Sequence, residues 1–168
     1  MIRDAAVFSL NEIVLRPADW PFFEQVAEEE SLSSAPPSDP GVYLLALPRQ
    51  YLAYPGGGSR VVYIGRARAK DGLKGRLREH LNFTLKRRGD GGDTGRYFSR
   101  YEWTAVHGIQ ATWSKAPDGA GDDKVDAVER KLLYWFAELY GAAPLGNAQA
   151  AWMESRPDTN PDEAAPPM

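Results

Sequence analysis

The sequence predicts an α+β fold in which an antiparallel sheet packs against helices. Two segments rich in β-branched, aromatic and aliphatic residues, VYLLAL (42–47) and RVVYIG (60–65), are typical of strands. The segment between them contains three consecutive glycines, so we expect an antiparallel hairpin with a long mobile loop. Amphipathic patterns predict helices at about 71–87 and 123–141, and GIQATWS (108–114) is typical of a third strand.

Length and composition indicate one soluble globular domain. The chain has 168 residues, of which 43% are hydrophobic and 26% charged. Apolar runs fall short of the roughly 20 residues that a membrane span needs. The N-terminal MIRDAAVFSLNEI has an early acidic residue and is a poor signal peptide, so a cytoplasmic location is the default expectation. Because the chain has no Cys, disulfides, thiol catalysis and thiolate metal sites are excluded.

Composition divides the chain into three parts. Residues 1–40 form an N-terminal extension, with a short helix predicted at DWPFFEQVAEEE (19–30) and a linker at 31–40. Residues 41–150 hold the main domain, in which RYFSRYEWT is compatible with either a strand or a short helix. Residues 151–168 are rich in Pro and acidic residues and are predicted to be a disordered tail.

Charge is segregated along the chain. Residues 60–100 hold 12 Lys and Arg against 4 Asp and Glu, a net charge of +8, whereas the whole chain has a net charge of −3. One cationic surface on an acidic protein points to a polyanionic partner such as nucleic acid. A solvated basic helix without a partner is the alternative, and charge alone favours neither.

One carboxylate falls on the apolar side of the last predicted helix. At about 100° per residue, Glu129 lies within the apolar stripe formed by Val125, Val128, Leu132, Phe136, Leu139 and Tyr140. Burial of a carboxylate is costly unless the group is paired or coordinates a cation. The sequence therefore predicts either a metal ligand or a buried ion pair with an Arg.

The basic helix also has polar residues on its inward side. His80 lies among the apolar positions, and Arg76 lies one turn earlier on the same side. A hydrogen-bonded core histidine is the simpler interpretation of His80 alone, but the adjacent Arg favours a functional site. The inward positions are Leu73, Leu77, Leu81 and Thr84, whereas Lys74, Arg78 and Lys86 point away.

Each strand of the predicted hairpin places a Tyr two residues from a Gly. Gly41 precedes Tyr43, and Gly65 follows Tyr63. A Tyr in a strand often has only a packing role, with its ring half-buried and its hydroxyl group hydrated. A strand Gly, however, leaves room for another backbone or a ligand to approach.

These residues, in this order, resemble the GIY-YIG nuclease superfamily. Gly41-Val42-Tyr43 resembles the first motif with Val in place of Ile, and Tyr63-Ile64-Gly65 matches the second. The helix LKGRLREHL supplies the family's Arg and a following His, at Arg76 and His80. AVERKLLYWFAELYGAAPLGN resembles the metal-binding helix and the Asn after it, at Glu129 and Asn147. The resemblance covers residues 41–147; the join at 66–72 is longer than usual, and 88–107 has no clear counterpart.

The resemblance implies a small antiparallel three-stranded sheet flanked by helices, and metal-dependent hydrolysis of phosphodiester bonds. Mg²⁺ (or Mn²⁺) held by Glu129 would act as a Lewis acid. Arg76 would stabilise charge in the transition state. Tyr43 is the candidate general base, with its pKa lowered by nearby cations, and His80 would hydrogen-bond to it or relay its proton. Tyr63 would orient the water or phosphate, and Asn147 would tether the metal-bearing helix or a substrate oxygen.

DNA is the partner that this interpretation predicts. The residues expected to contact phosphates are Arg66, Arg68, Lys70, Lys74, Arg78, Lys86, Arg87 and Arg88. A restriction or repair endonuclease is favoured. The alternatives are a nucleic-acid-binding module of the same fold without hydrolytic activity, and a nuclease that acts on RNA. A homodimer is possible through the apolar side of residues 1–30, although those residues could simply cap the sheet.

Overall fold

A four-stranded antiparallel sheet forms the centre of the protein in the computed structural model, which describes residues 23, 25–90 and 98–147. In chain order its strands are β1 (Gln25–Glu28), β2 (Gly41–Ala46), β5 (Val61–Ala67) and β6 (Gln110–Lys115). They are arranged β1-β6-β2-β5. The helices are α1 (Gly72–Asp90), α2 (Phe98–His107) and α3 (Asp122–Tyr140), and β3 (Leu52–Tyr54) pairs with β4 (Gly57–Ser59). The predicted α+β class and antiparallel sheet are confirmed.

The sheet has a fourth strand that the sequence did not reveal, so the expected three-stranded sheet is wrong. The strand β1 lies where a helix was predicted over residues 19–30, and it pairs with β6 so that Val26 opposes Thr112. A 3-10 turn, Glu29–Ser31, follows it. Local helical propensity is a weak preference, and ladder hydrogen bonds to β6 outweigh it here.

The segment at 31–40, expected to be a linker, is tied to the start of α1. Leu32 is fully buried. The carbonyl groups of Pro37 and Asp39 accept hydrogen bonds from the backbone N–H groups of Lys74 and Leu73, both at 2.8 Å. These bonds satisfy N–H groups that the first turn of a helix leaves without an internal partner.

The connection between β2 and β5 is a second small hairpin, formed by β3 and β4, where a long mobile loop was predicted. Leu52 and Tyr54 are buried against the core. The Tyr54 hydroxyl group donates a hydrogen bond to the Val61 carbonyl at 2.9 Å and accepts one from the Leu145 N–H at 3.1 Å. The predicted antiparallel pairing of the two flanking strands is confirmed.

Alternation along the central strand β2 separates two packed faces of the sheet. Val42 and Leu44 point towards α3, whereas Tyr43 and Leu45 point towards α1. The predicted inward residues of α1 are buried except Arg76, which is half-buried, and the apolar residues of the predicted stripe of α3 are buried except Leu139, which is 40% exposed. The sheet therefore has one helical layer on each face, and every polar residue in these layers needs a partner.

The segment with the ambiguous pattern forms the helix α2, which packs along α1. Thr84 and Thr104 form a buried hydrogen bond of 2.9 Å, and Arg87 pairs with Glu102 at 2.7 Å. The predicted break at 91–95, the tail at 151–168 and most of the apolar residues expected at a dimer contact lie outside the described residues. Among the helices that the structure describes, none is long and apolar enough to cross a membrane.

The segment after α3 covers the outer edge of β5. The Asn147 side chain accepts a hydrogen bond from the Ile64 N–H at 2.9 Å and donates one to the Ile64 carbonyl at 2.8 Å. The Gly146 N–H donates to the Val62 carbonyl at 2.7 Å. This geometry is that of a tether between the end of α3 and the edge strand, which is one of the two roles expected for Asn147.

We expect Asn147→Ala to lower the free energy of unfolding by about 1–3 kcal/mol, because both backbone groups of Ile64 lose their partner. Chemical denaturation checks this. Asn82→Ala on the exposed surface of α1 is the control and should change stability by no more than about 0.5 kcal/mol. Equal effects of the two substitutions would contradict the tether.

Candidate functional site

Three polar side chains from three elements form a buried network on the α1 face of the sheet. The Tyr43 hydroxyl group of β2 lies 2.7 Å from Nε2 of His80 on α1. Nδ1 of the same imidazole lies 2.8 Å from the hydroxyl group of Tyr101 on α2. The exposed fractions of Tyr43, His80 and Tyr101 are 0%, 1% and 1%. We call these residues the Tyr–His–Tyr network.

The glycine of the second motif makes room for this network. Gly65 lies directly opposite Tyr43 in the ladder between β2 and β5. A Cβ atom at Gly65 would lie 2.6 Å from the Tyr43 hydroxyl oxygen and 2.5 Å from a ring carbon of Tyr63. Real Cβ atoms do not approach other atoms so closely, so any other residue here would displace both tyrosines.

Two guanidinium groups flank the network. Arg76 pairs with Glu79, and its positive charge partly opposes the rise in the pKa of Tyr43. Its side chain remains 32% exposed. Arg100 is buried, lies 3.4 Å over the ring centre of Tyr63 and donates a hydrogen bond to the Gly146 carbonyl at 3.0 Å. Arg76 thus lies beside the network at the surface and Arg100 lies within the core.

The network is electrically neutral near pH 7. Burial raises the pKa of Tyr43 well above its usual value, and the opposing effects of Arg76 and Arg100 are smaller. Burial, with the charges of Arg100 and Arg76, lowers the pKa of His80 well below its usual value. The expectation that nearby cations lower the pKa of Tyr43 overall is therefore wrong, because desolvation of the phenolate dominates.

Tyr63 is half-buried at the edge of the network. Its ring centre lies 6.1 Å from that of Tyr43 and 5.4 Å from that of His80. Burial raises the pKa of Tyr63; Arg100 lowers it, and the charge of Glu129 raises it further. Glu129 therefore acts electrostatically on this tyrosine, although the two residues belong to opposite faces of the sheet.

Glu129 lies in a cluster of ion pairs between β5 and α3. Arg66 Nη1 donates a hydrogen bond to the Glu129 carboxylate, and Arg66 Nε lies 2.6 Å from Asp126. Arg68 also pairs with Asp126, at 2.6 Å. Burial raises the pKa of Glu129, and the charge of Arg66 partly offsets this rise. The buried ion pair with an Arg, one of the two sequence-based interpretations, is the arrangement present. We call these four residues the Glu129 cluster.

The donors of the Glu129 cluster suit Mg²⁺, but Arg66 competes for them. Asp126 and Glu129 lie three residues apart on α3 and offer carboxylate oxygens, the ligands that Mg²⁺ prefers. Mg²⁺ commonly uses one or two carboxylates and keeps several waters. Within the described part of the chain, no group of three or more His, Asp or Glu residues could hold a metal ion. A metal at Glu129 would therefore take the place of Arg66.

The residues predicted to bind nucleic acid fall into two groups. Four of them pair with carboxylates on the protein: Arg66, Arg68, Arg87 and Arg88. The others are exposed or half-exposed: Lys70, Lys74, Arg78 and Lys86. The second group is the better candidate for phosphate contacts, because its members need not leave an ion pair described here.

Sequence reasoning missed two residues of the site, Arg100 and Tyr101. Both lie in a segment that had no counterpart in the resembled family and an ambiguous pattern. The available signal was the spacing of Tyr101 and Thr104, which places them on one side of a helix, where both are buried. No local pattern could show that this side faces His80.

The described fold is an α+β fold with a mainly antiparallel sheet and three helices. Comparisons of the chain with protein-family models, curated proteins and solved structures found no match. Membership of the GIY-YIG nuclease superfamily therefore stays a prediction from short motifs.

The buried neutral His80 makes stability depend on pH. Its pKa is lowered in the folded protein, so the unfolded chain binds the extra proton between the two pKa values. Stability should therefore fall as pH decreases below about 6.5, by at most about 1.4 kcal/mol per pH unit from this group. Denaturation between pH 7.5 and 5.5 measures this slope.

His80→Gln should flatten this dependence, whereas His107→Gln, at an exposed position, should leave it unchanged. An unchanged slope in His80→Gln would show that His80 is not held neutral.

Proposed function

We propose that this protein is a metal-dependent endonuclease that hydrolyses phosphodiester bonds in DNA. The observation that supports this most strongly is the Tyr–His–Tyr network beside Arg76. A buried polar network is costly, and this one places a tyrosine hydroxyl group 2.7 Å from a buried imidazole, with the positive charge of Arg76 acting on the tyrosine. Hydrolysis of a phosphodiester needs a group that accepts a proton from water and a fixed positive charge that stabilises the transition state.

Arg76 is the residue proposed to bind the scissile phosphate. Its guanidinium is partly exposed and lies next to the Tyr43 hydroxyl group. A phosphate would compete with Glu79 for it and would accept two parallel hydrogen bonds. Charge that develops on the phosphate in the transition state would then face a fixed cation.

Tyr43 is the proposed general base, and its high pKa defines how it can act. Burial disfavours a standing phenolate, but the His80 imidazole lies 2.7 Å from the hydroxyl group. Tyr43 can take a proton from water while its own proton passes to Nε2 of His80. Because Tyr43 is fully buried, a neighbouring side chain must move before water can reach its hydroxyl group. Binding of phosphate by Arg76 is proposed to cause that movement.

Glu129, with Asp126, is proposed to hold Mg²⁺ or Mn²⁺. The bound ion would supply Lewis-acid polarisation of a phosphate oxygen. Arg66, released from Glu129, would be available to a neighbouring phosphate. Tyr63 contacts the network and is affected by the charge of Glu129, and its half-buried ring is proposed to orient the water or phosphate.

A nucleic-acid-binding module without hydrolytic activity is the second candidate. The Arg66–Glu129 pair favours it, since this pair satisfies the carboxylate without a metal. The cationic surface would then be retained for binding alone. A nuclease acting on RNA is a further alternative, because the proposed site residues would contact only phosphate groups, which DNA and RNA share.

One assay tests the proposed function against these alternatives. Purified protein is incubated with plasmid DNA, single-stranded DNA and RNA in parallel, each with Mg²⁺, with Mn²⁺ or with EDTA. Cleavage of DNA that needs the metal supports the proposal. Metal-dependent cleavage of RNA alone supports the RNA nuclease, and binding without cleavage in any condition supports the silent module.

We expect Glu129→Gln to abolish cleavage while the fold and DNA binding are retained, because it removes a metal ligand at nearly constant volume. Cleavage rates, electrophoretic binding and thermal denaturation measure the three properties. Glu138→Gln, at an exposed position of the same helix, should cleave normally. Normal turnover in Glu129→Gln would refute the metal assignment, and loss of folding would favour a purely structural ion pair.

Arg76→Ala should reduce the cleavage rate far more than Arg78→Ala or Lys74→Ala. Arg76 lies beside Tyr43, whereas the other two can offer only screened attraction to phosphates. Single-turnover rates at saturating protein separate this loss from weaker binding. Equal losses in the three variants would mean that Arg76 has no special position at the reacting phosphate.

A further inference from the structure

The side chain of Arg100 joins three parts of the fold. Arg100 belongs to α2, and only 5% of its surface is exposed. Its Cζ atom lies 3.4 Å from the centre of the Tyr63 ring, over the face of that ring. Its Nε and Nη2 groups both donate hydrogen bonds to the Gly146 carbonyl, at 3.3 and 3.0 Å. One buried cation therefore connects α2 to a tyrosine of β5 and to the segment after α3.

These contacts hold the guanidinium of Arg100 in one place. Two N–H groups of a rigid, planar fork that bind the same oxygen leave the group little freedom to turn. A guanidinium within about 6 Å of the centre of an aromatic ring is attracted by the ring face, and the distance of 3.4 Å to the Tyr63 ring lies well inside this limit. The ring thus packs against a group that is itself anchored to backbone.

The glycine at position 146 makes this anchor possible. The Gly146 N–H donates a hydrogen bond to the Val62 carbonyl at 2.7 Å. A Cβ atom at Gly146 would lie 2.7 Å from the Val62 carbonyl oxygen and 3.1 and 3.2 Å from the Cγ and Cβ atoms of Arg100. A side chain here would therefore push the segment away from both neighbours. The absence of one lets the segment lie against β5 and Arg100 at once.

Tyr63 is a residue whose ring needs such a support. It is half-buried on β5, the outermost strand of the sheet, and its ring centre lies 5.4 Å from that of His80. A half-buried side chain at an edge can exchange between rotamers unless its neighbours prevent it. Arg100 is such a neighbour, because it covers one face of the ring.

We propose that Arg100 is a positioning residue that holds the ring of Tyr63 against His80 and couples the segment after α3 to the Tyr–His–Tyr network. Because it is buried, Arg100 acts through Tyr63 and does not touch DNA. The consequence for catalysis rests on the proposed function: Tyr63 can orient the water or phosphate only while its ring is held.

Nuclear magnetic resonance tests the position of the ring. In protein deuterated except at Tyr and His rings, Tyr63→Phe identifies the signals of Tyr63 and His107→Gln those of His80. We expect a nuclear Overhauser effect between the two rings, and its loss in Arg100→Met. Arg60→Met removes another arginine that donates to a backbone carbonyl, that of Pro48, and should leave the effect unchanged. An unchanged effect in Arg100→Met, or an equal loss in Arg60→Met, would overturn the proposal.

A second measurement leaves Arg100 in place and remains decisive if Arg100→Met does not fold. A proton above an aromatic ring has its signal shifted upfield by the ring. The Nε–H signal of Arg100 should therefore move downfield in Tyr63→Leu, whereas Tyr63→Phe, which keeps the ring, should retain the upfield position. The same signal position in Tyr63→Leu and in the unaltered protein would overturn the proposal, because the ring would not lie beneath the guanidinium.

Kinetics test whether Arg100 acts through Tyr63. Arg100→Met should lower kcat by up to about 100-fold, the loss expected when a group at the reacting centre is misplaced by about 1 Å, with an unchanged KM for DNA. In a Tyr63→Leu background the same substitution should cause no further loss, since the ring that it positions is gone. Losses that multiply would show that Arg100 acts independently of Tyr63 and would overturn the proposal.

The two kinds of readout separate this inference from the proposed function. The spectra need no DNA or metal, so the position of the ring is decided even in a protein that cleaves nothing, a result that would refute the nuclease proposal alone. Conversely, cleavage of DNA by a protein whose Arg100→Met variant keeps the effect between Tyr63 and His80 would refute the inference and leave the nuclease proposal standing.

Discussion

The hydrogen bond between Tyr43 and His80 is the constraint around which the α1 face of this protein is built. It joins the central strand to the basic helix inside the core, where two unpaired polar groups would each cost several kcal/mol. The rest of the face serves to make this bond possible. Leu73 and Leu77 fix the helix over the sheet, Gly65 clears the space for the tyrosine rings, and Tyr101 satisfies the second nitrogen of the imidazole.

The strand β5 connects this network to the opposite face. This outermost strand directs Tyr63 towards the α1 side, where its ring contacts His80, and Arg66 towards the α3 side, where it pairs with Glu129. Asn147 holds its edge in place through both backbone groups of Ile64. The proposed function requires the two faces to act on one phosphate, and β5 is the element through which they are brought together.

Local pattern was enough for the parts of the fold that pack by periodicity. The hairpin of β2 and β5, the helix α1 and the helix α3 follow from alternation or from a 3.6-residue repeat, and so does the inward position of His80 and Glu129. The helix N-terminal to this region was predicted wrongly, because β1 owes its structure to a partner far along the chain, where Gln25 opposes Trp113.

The residues of the candidate site also divide into those that the local sequence indicated and those that depend on distant parts of the chain. Tyr43, Tyr63, Arg76 and His80 do come together, as their order along the chain indicated. Tyr101 escaped notice because its contact with His80 depends on how α2 folds back on α1, which no local spacing encodes. A buried ion pair between Glu129 and an Arg was one of the two interpretations of the sequence. The partner Arg66 could not be identified, because it belongs to a strand 63 residues earlier.

The central claim is that Tyr43 and His80 act as one proton-transfer unit in phosphodiester hydrolysis. A double-mutant cycle of Tyr43→Phe and His80→Gln, measured as single-turnover cleavage of DNA with Mg²⁺, tests it most directly. Residues that act as a unit give losses that do not multiply, so the double variant should be about as slow as Tyr43→Phe alone. Independent losses that multiply, or a Tyr43→Phe variant that cleaves at the wild-type rate, would contradict the claim.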